Sequence, residues 1–292
     1  MMTTQLLASA LLSGVLLGAF YAAIACGLAL VFGILEIPNL AHPAVIVAAA
    51  MLVHTLNTYG LDPIAAGLLL APVFFLAGIG FYQFYRTTFE ARGASDPLRS
   101  FSLFFGFAFL IEVVLVLTYG VDLRSVEAAY IGKSLSVGWI RVPYRMLAAF
   151  VCGSLVLLAL YLFLSRTRLG SAIRAAGIDQ DALPMLGIDP ARIRRIAFGL
   201  ALATAAIAGA LLIIVGPVQP STDRIYIGRA FAVVVLAGMG SIPGTYVSGL
   251  ILGISESIVL TLFGASWATA LSFGLVLLVL AVRPAGLFGV AR

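Results

Sequence analysis

Long apolar runs alternate with short polar stretches from one end of the chain to the other. A helix needs about 20 predominantly apolar residues to cross the hydrocarbon core of a bilayer. Runs that meet this need lie near 6–32, 41–58, 61–85, 101–119, 146–164, 196–216, 244–262 and 264–282. A further apolar piece, 229–239, is too short to cross comfortably and reads as a re-entrant half-helix or half of a broken span. Lipid offers no partner for free backbone groups, so helices must satisfy their own. The pattern predicts an all-α fold: a polytopic membrane helix bundle of about eight spans, one domain over 1–292.

Two stretches break this rhythm with Gly and Pro, one in each half: "GILEIPNLAHPAV" at 33–45 and "GMGSIPGTYVSG" at 238–249. Non-helical backbone at membrane depth is tolerated only where it faces protein or a water-filled cavity, and paired interruptions point to the path of a carrier. Asn39 and His42 in the first break, and Gly238, Gly240, Pro243 and Gly244 in the second, are the candidate translocation-path residues. The competing reading is plain loop chemistry, with Asn39 and His42 capping helix ends.

The longest polar connections are 86–100, 120–145 and 165–195. The last holds Arg166, Arg168, Arg174, Arg192, Arg194 and Arg195, which by the positive-inside rule places it in the cytoplasm. Counting back five spans puts the N-terminus outside and the 86–100 loop, with Arg86, Arg92 and Arg99, inside. The 120–145 loop then falls outside despite Arg124, Lys133, Arg141 and Arg145, an exception to the rule. The C-terminus ends outside after eight crossings, or inside if 229–239 completes a ninth.

The 165–195 island also carries signals of order. Asp189 followed by Pro190 is an N-cap and first-turn pair. Gly187 suits the end of a preceding short helix, and Gly170 and Gly177 bound another turn. Ala172, Ala175, Ala176 and Ala182 leave room for another protein to approach, while Asp179 and Asp181 add charge. These signals predict short helices lying on the cytoplasmic ends of the bundle.

Composition narrows the class. The chain is 62% hydrophobic and 10% charged, against roughly 25% charged in soluble domains, which excludes a soluble globular fold. The net charge of +5 reads as topogenic, so lipid is the expected surroundings and no nucleic-acid partner is expected. Cys26 and Cys152 lie inside apolar runs and read as small buried hydrophobes. The opening "MMTTQLLASALLSGVLLGAF" lacks a basic n-region and reads as a retained first span.

Candidate chemistry is sparse. "GKS" at 132–134 would need a Gly at 127 to form a phosphate-binding loop, and that position is Glu127. His42 and His54 have no Cys or carboxylate spacing to complete a metal site. No catalytic constellation, cofactor site or metal site is expected, so the chain does not read as an enzyme. Glu112 and Glu256 sit inside apolar runs with no clear partner in the sequence, and read as neutral or paired across helix contacts.

Four pieces of the chain resemble the permease subunits of branched-chain amino-acid ABC importers, the H-type Liv permeases. "YAAIACGLALVFGILEIPNLAHP" at 21–43 is similar to the family's first span and following turn, with Leu40 where the family has Phe and Pro43 where it has Gly. "GSAIRAAGIDQDALPMLGIDPARIRRIAFGLALATAAIAGALL" at 170–212 resembles its cytoplasmic loop and next span. "FAVVVLAGMGSIPGTYVSGLILGISE" at 231–256 resembles its glycine-rich segment, and "RPAGLFG" at 283–289 its end. The resemblance implies a multi-pass protein of the bacterial inner membrane. It implies a second homologous permease, two cytoplasmic ATPase subunits and a periplasmic substrate-binding protein as partners. Within the 165–195 coupling loop, Arg174, Asp179, Ala182, Leu183 and Gly187 become the expected ATPase-coupling residues. Branched-chain amino acids lead as substrates, with urea, short amides and aromatic acids as related cargoes. The alternative is an ion-coupled secondary transporter or channel working through Glu112 or Glu256.

Overall fold

The structure is a computed structural model and describes residues 2–35, 37, 39–88, 97–137, 140–179, 182–238, 240–283 and 285–289. Arg92 and Asp181 of the sequence reading lie outside the described residues. The helices in chain order are α1 (Met2–Leu35), α2 (His42–Thr58), α3 (Pro63–Thr88), α4 (Pro97–Tyr119), α5 (Tyr144–Arg166), α6 (Arg168–Ile178), α7 (Pro190–Val215), α8 (Asp223–Ala237), α9 (Ile242–Phe263) and α10 (Ala265–Val282). Seven of these, α1, α3, α4, α5, α7, α9 and α10, are long and apolar enough to cross a membrane. Two more helices are short: α2, apolar with 17 residues, and α8, with 15 residues that include Asp223, Arg224 and Arg229. The bundle thus has seven full-length helices and two short ones where the pattern predicted about eight spans.

α8 starts six residues earlier than the apolar piece at 229 because Arg224 and Arg229 interrupt its hydrophobicity without interrupting its helix. After α10 the chain folds back: the Leu287 and Phe288 amides donate to the Leu236 and Ala237 carbonyls at 2.8 and 3.0 Å. This caps the end of α8 and places the described end of the chain at the same end of the bundle as the Arg-rich island. α8 therefore carries the chain back to the island end of the bundle.

The 120–145 connection holds an element the sequence pattern did not predict. β1 (Ser134–Val137) and β2 (Ile140–Pro143) pair antiparallel, with Ser134 opposite Pro143 and Ser136 opposite Arg141. Gly132 takes φ +85° and leads into β1, so "GKS" enters a hairpin and not the helix a phosphate loop requires. The connection is pinned to the bundle by an antiparallel bridge between Arg124 and Val218 and by Asn57, whose side chain bonds Glu127 backbone in both directions.

α1 and α7 are the most buried long helices, and α4 and α10 the least. The decisive contact is between α1 and α9, which run antiparallel. Gly14 and Gly18 on α1 face Gly249 and Gly253 on α9, two GxxxG motifs meeting backbone to backbone. A Cβ at Gly14 would lie 2.6 Å from the Ile254 Cα, one at Gly18 2.6 Å from the Leu250 Cα, and one at Gly249 2.7 Å from the Ala22 Cβ. Ser257 Oγ donates to the Ala10 carbonyl at 2.8 Å and extends the same seam. Small residues allow this approach, which is how helices associate in lipid.

α3 and α7 repeat the device, with Gly78 against Gly199 and Gly67 against Ala210. The first helix of the early group (α1–α4) thus packs on the third of the late group (α7–α10), and the first of the late group on the third of the early one. The short helix is second in both groups. α1 ends at the island where α7 begins, so the two groups are inverted with respect to each other, an arrangement common in transporters.

The α1–α9 seam predicts a graded cost. Gly18→Leu and Gly253→Leu should each cost about 1–3 kcal/mol by overpacking and cut the yield of monodisperse protein in mild detergent. Gly80→Leu, at a position with open space around it, should leave yield and melting temperature unchanged. Equal behaviour of the three variants in a thermal size-exclusion assay would refute the seam.

Candidate functional site

The two Gly/Pro breaks meet at the island end of the bundle. Gly240 lies against the carbonyl of Gly33, the first residue of the first break. Their equivalence, however, is not that of repeat partners. In the inverted arrangement, 36–41 corresponds to the 216–222 connection before α8, and 238–241 to the 59–62 connection before α3. They are neighbours because both face the island.

Within the breaks, most side chains point inward. Asn39 is 2% exposed, and its Oδ1 accepts from the Ala41 amide at 3.1 Å. His42 is 0% exposed. Its ring fills the notch left by Gly27, beside Thr204 of α7. Neither ring nitrogen makes a well-formed hydrogen bond, although the Ile24 backbone lies close enough to interact. Gly238 and Gly240 take φ of +82° and +85°, a region that favours glycine, and so end α8 sharply. Ser241 then caps α9, its Oγ accepting from the Gly244 amide at 3.0 Å, with Pro243 in the first turn. Of these six residues Gly238 and Gly244 are buried, Gly240 is half-buried and Pro243 is exposed.

The island is ordered by its own capping groups. Thr167 Oγ1 accepts from the Gly170 amide at 2.9 Å and starts α6. Asp179 Oδ1 accepts from the Ala182 amide at 3.1 Å. A single 3₁₀ turn, Pro184–Leu186, ends at Gly187 with φ +71°. Asp189 Oδ1 then accepts from the Ala191 amide at 3.0 Å and opens α7. Gly170 and Gly177 do not bound a turn, as their spacing suggested. Both lie inside α6, where Gly170 packs on the end of α5 and Gly177 on Ile34 of α1.

The island's arginines also bind the bundle. Arg194 Nη2 donates to the Leu35 carbonyl at 3.1 Å, and Arg195 Nη1 to Gln83 Oε1 at 3.4 Å. Arg174 faces out from α6, and Ala182 is half-buried. Leu183, one of the expected coupling residues, is 1% exposed and anchors the turn to the bundle. The tips that do face out are Met185, 90% exposed, and Leu186, with Ile178 nearby, none of which the sequence reading singled out. Bulky apolar side chains on a polar island are the signal that was available.

The carboxylates inside the spans have partners that the sequence concealed. Glu112 of α4 receives both of its hydrogen bonds from Arg224 Nη2, at 2.7 and 2.9 Å. Glu256 of α9 accepts from Arg229 Nη2 at 2.6 Å and from Nε at 3.2 Å. The Arg229 guanidinium also lies against two rings, 5.6 Å from the Tyr21 centroid and 5.7 Å from that of Tyr226. Arg224 and Arg229 share one cleft of about 410 Å³ between α8 and α10, lined by Ile225, Ile227, Gly228, Ser272 and Phe273 as well.

A family model described as the permease component of the branched-chain amino acid transport system matches residues 10–280. The chain is 30% identical to the high-affinity branched-chain amino acid transport system permease protein BraD of Pseudomonas aeruginosa, with 96% of this chain and 94% of that protein aligned. It is 31% identical to the corresponding permease protein LivH of Escherichia coli K12, over 95% of this chain and 94% of the relative. A probable LivH of Methanocaldococcus jannaschii is 25% identical over 91% and 88%. No solved structure matches the chain. The match spans nearly every helix of the bundle, and the chain belongs to the family of branched-chain amino acid transport permease components, membrane subunits and not enzymes.

Proposed function

We propose that this chain forms the membrane path of an ABC importer for branched-chain amino acids or close analogues, beside a second homologous permease. The observation that carries the reading is the family match over residues 10–280 together with an ordered, externally apolar island. Two cytoplasmic ATPases supply the drive, and a periplasmic binding protein delivers the solute. The setting is the bacterial inner membrane, with the island inside.

The island is the ATPase dock. Met185 and Leu186 form its projecting tip. Arg174 lies on the exposed face of α6, while Asp179, Ala182, Leu183 and Gly187 hold the shape of the turn. The breaks border the path by placing helix ends: Gly238, Gly240, Pro243 and Gly244 set the turn between α8 and α9, and Asn39 and His42 fix the start of α2 from inside the bundle.

Replacing Met185 and Leu186 together by Asp should abolish co-purification of the ATPases and reduce leucine uptake more than tenfold, at an unchanged level of membrane-inserted permease. Retention of both would refute the dock. Leu183→Asp should instead lower the level of folded protein, because it buries a charge.

Glu112 and Glu256 each face an arginine, so neither stands as a free proton carrier. Collapsing the proton gradient at constant ATP should leave uptake unchanged in proteoliposomes, and Glu112→Gln should retain most of it. Loss of uptake in both experiments would favour an ion-coupled carrier.

A further inference from the structure

The cleft between α8 and α10 has no part in the assignments above. α8 is 15 residues long, about 22 Å at 1.5 Å per residue, against a hydrocarbon core of about 30 Å. Its last residue, Ala237, is tied at the island end. With that end at the inner surface, α8 would stop about 8 Å short of the outer one and hold Arg229 about 12 Å from the inner, within the hydrocarbon core. With the island inside, the cleft descends from the outer side to mid-membrane.

Its lining is amphipathic in a specific way. Arg224 is two-thirds exposed and uses only Nη2 on Glu112, so Nε and Nη1 remain without a partner among the described residues. Arg229 gives Nε and Nη2 to Glu256, while Nη1 reaches only the Ile225 carbonyl at 3.4 Å. Donors from two guanidinium groups are thus unspent in one concavity. Neither arginine can swing away freely: each is held by a carboxylate, and Arg229 also by the Tyr21 and Tyr226 rings. Ile225, Ile227 and Phe273 supply apolar wall. Phe273 comes close only because position 228 is Gly, where a Cβ would lie 2.7 Å from its Cζ. Guanidinium donors beside an apolar wall match an oxyanion attached to a hydrocarbon group.

We propose that the α8–α10 cleft is an oxyanion site, in which Arg224 and Arg229 receive the carboxylate of an amino acid while Ile225, Ile227 and Phe273 receive its apolar side chain. This rests on the import reading above. The hold is transient, because a path must release what it binds, and the two paired carboxylates temper the charge of the site. A lipid headgroup phosphate attached to acyl chains presents the same chemistry from another source.

The test uses Ile225→Cys in full-length protein carrying Cys26→Ala and Cys152→Ala, assembled with its ATPases in nanodiscs. Position 225 is exposed and lies between the two arginines along α8. An anionic methanethiosulfonate reagent should react severalfold faster than a cationic one, because Arg224 and Arg229 line the cleft while Glu112, Glu256 and Asp223 do not. Adding Arg224→Gln should shrink that ratio severalfold. Where removal of Arg229 alone impairs folding, the double variant Arg229→Gln/Glu256→Gln avoids a lone buried charge and should shrink the ratio as well.

Millimolar L-leucine should slow labelling in phosphatidylcholine nanodiscs, and leucinamide, which lacks the carboxylate, should not. Slowing by phosphatidylglycerol but not by leucine would identify the occupant as a headgroup and overturn the amino-acid assignment. Equal rates for the two reagents, no response to Arg224→Gln, or no labelling at all would overturn the oxyanion site. ATPase co-purification from the same preparation separates the two ideas. If it persists while leucine protection is absent, this inference fails and the importer reading stands. If it is absent, the importer reading itself fails.

Discussion

The contact on which the bundle depends is the glycine seam between α1 and α9. Lipid tails are as apolar as leucine, so burial from water does not draw helices together once they are inserted. Close packing has to do it, and packing is closest where two backbones touch. Gly14, Gly18, Gly249 and Gly253 permit that contact over two turns. The seam also fixes height. Glu256 sits one turn past Gly253, and the same register sets it beside Tyr21 and opposite Arg229. A slip of one turn, about 5.4 Å, would leave Glu256 and Arg229 unpaired in hydrocarbon. Removing one partner of a buried pair costs about 3–5 kcal/mol. Seam and ion pair therefore enforce one register from two sides.

Much of the fold was legible because the bilayer imposes a length on every span. Seven of the eight predicted runs became helices long enough to cross, and the eighth, 41–58, became the short helix α2. The Asp189–Pro190 start of α7 and the stop at Gly187 were legible because caps are local: a side chain two or three residues away satisfies the amide, so the signal survives in the sequence. Gly170 and Gly177 were misread for the opposite reason. Their purpose is contact with α5 and α1, and tertiary contact leaves no local mark. The hairpin at 134–143 was missed because "SLSV" and "IRVP" are too short to show alternation.

Charges were the least legible feature. Glu112 and Arg224 are 112 positions apart, and Glu256 and Arg229 are 27 apart with the α8–α9 turn between them. Pairing depends on the inverted packing of the two helix groups, which no window of sequence contains. Reading 229–239 as a half-helix placed Arg224 outside the apolar segment and hid it as a partner. A guanidinium at membrane depth costs about 2.5–3.5 kcal/mol on insertion scales, so its presence there implied a carboxylate within reach. The setting of the breaks was equally illegible. Asn39 and His42 stand out as polar within an apolar sequence, but the notch at Gly27 that takes the His42 ring is a tertiary contact the sequence does not mark.

The same contacts order the bundle mechanically. α6 rests on Ile34 through Gly177, and Arg194 holds the Leu35 carbonyl, so the island and the end of α1 form one piece. α1 is joined to α9 along the seam with no flexible side chain between the backbones. α9 reaches α8 through the tight turn at Gly238 and Gly240 and through the Glu256–Arg229 pair. A load applied to the island meets rigid backbone contact as far as α9, and α8 is held to α9 by the Glu256–Arg229 pair and by packing along both helices. Close-packed helices move as units, and displacement concentrates where such a unit ends. The α8–α9 corner is itself clasped, Gly238 by Gly289 and Ala285 and Gly240 by the Gly33 carbonyl, so displacement of α9 passes on to α8 and to Arg229 in the cleft.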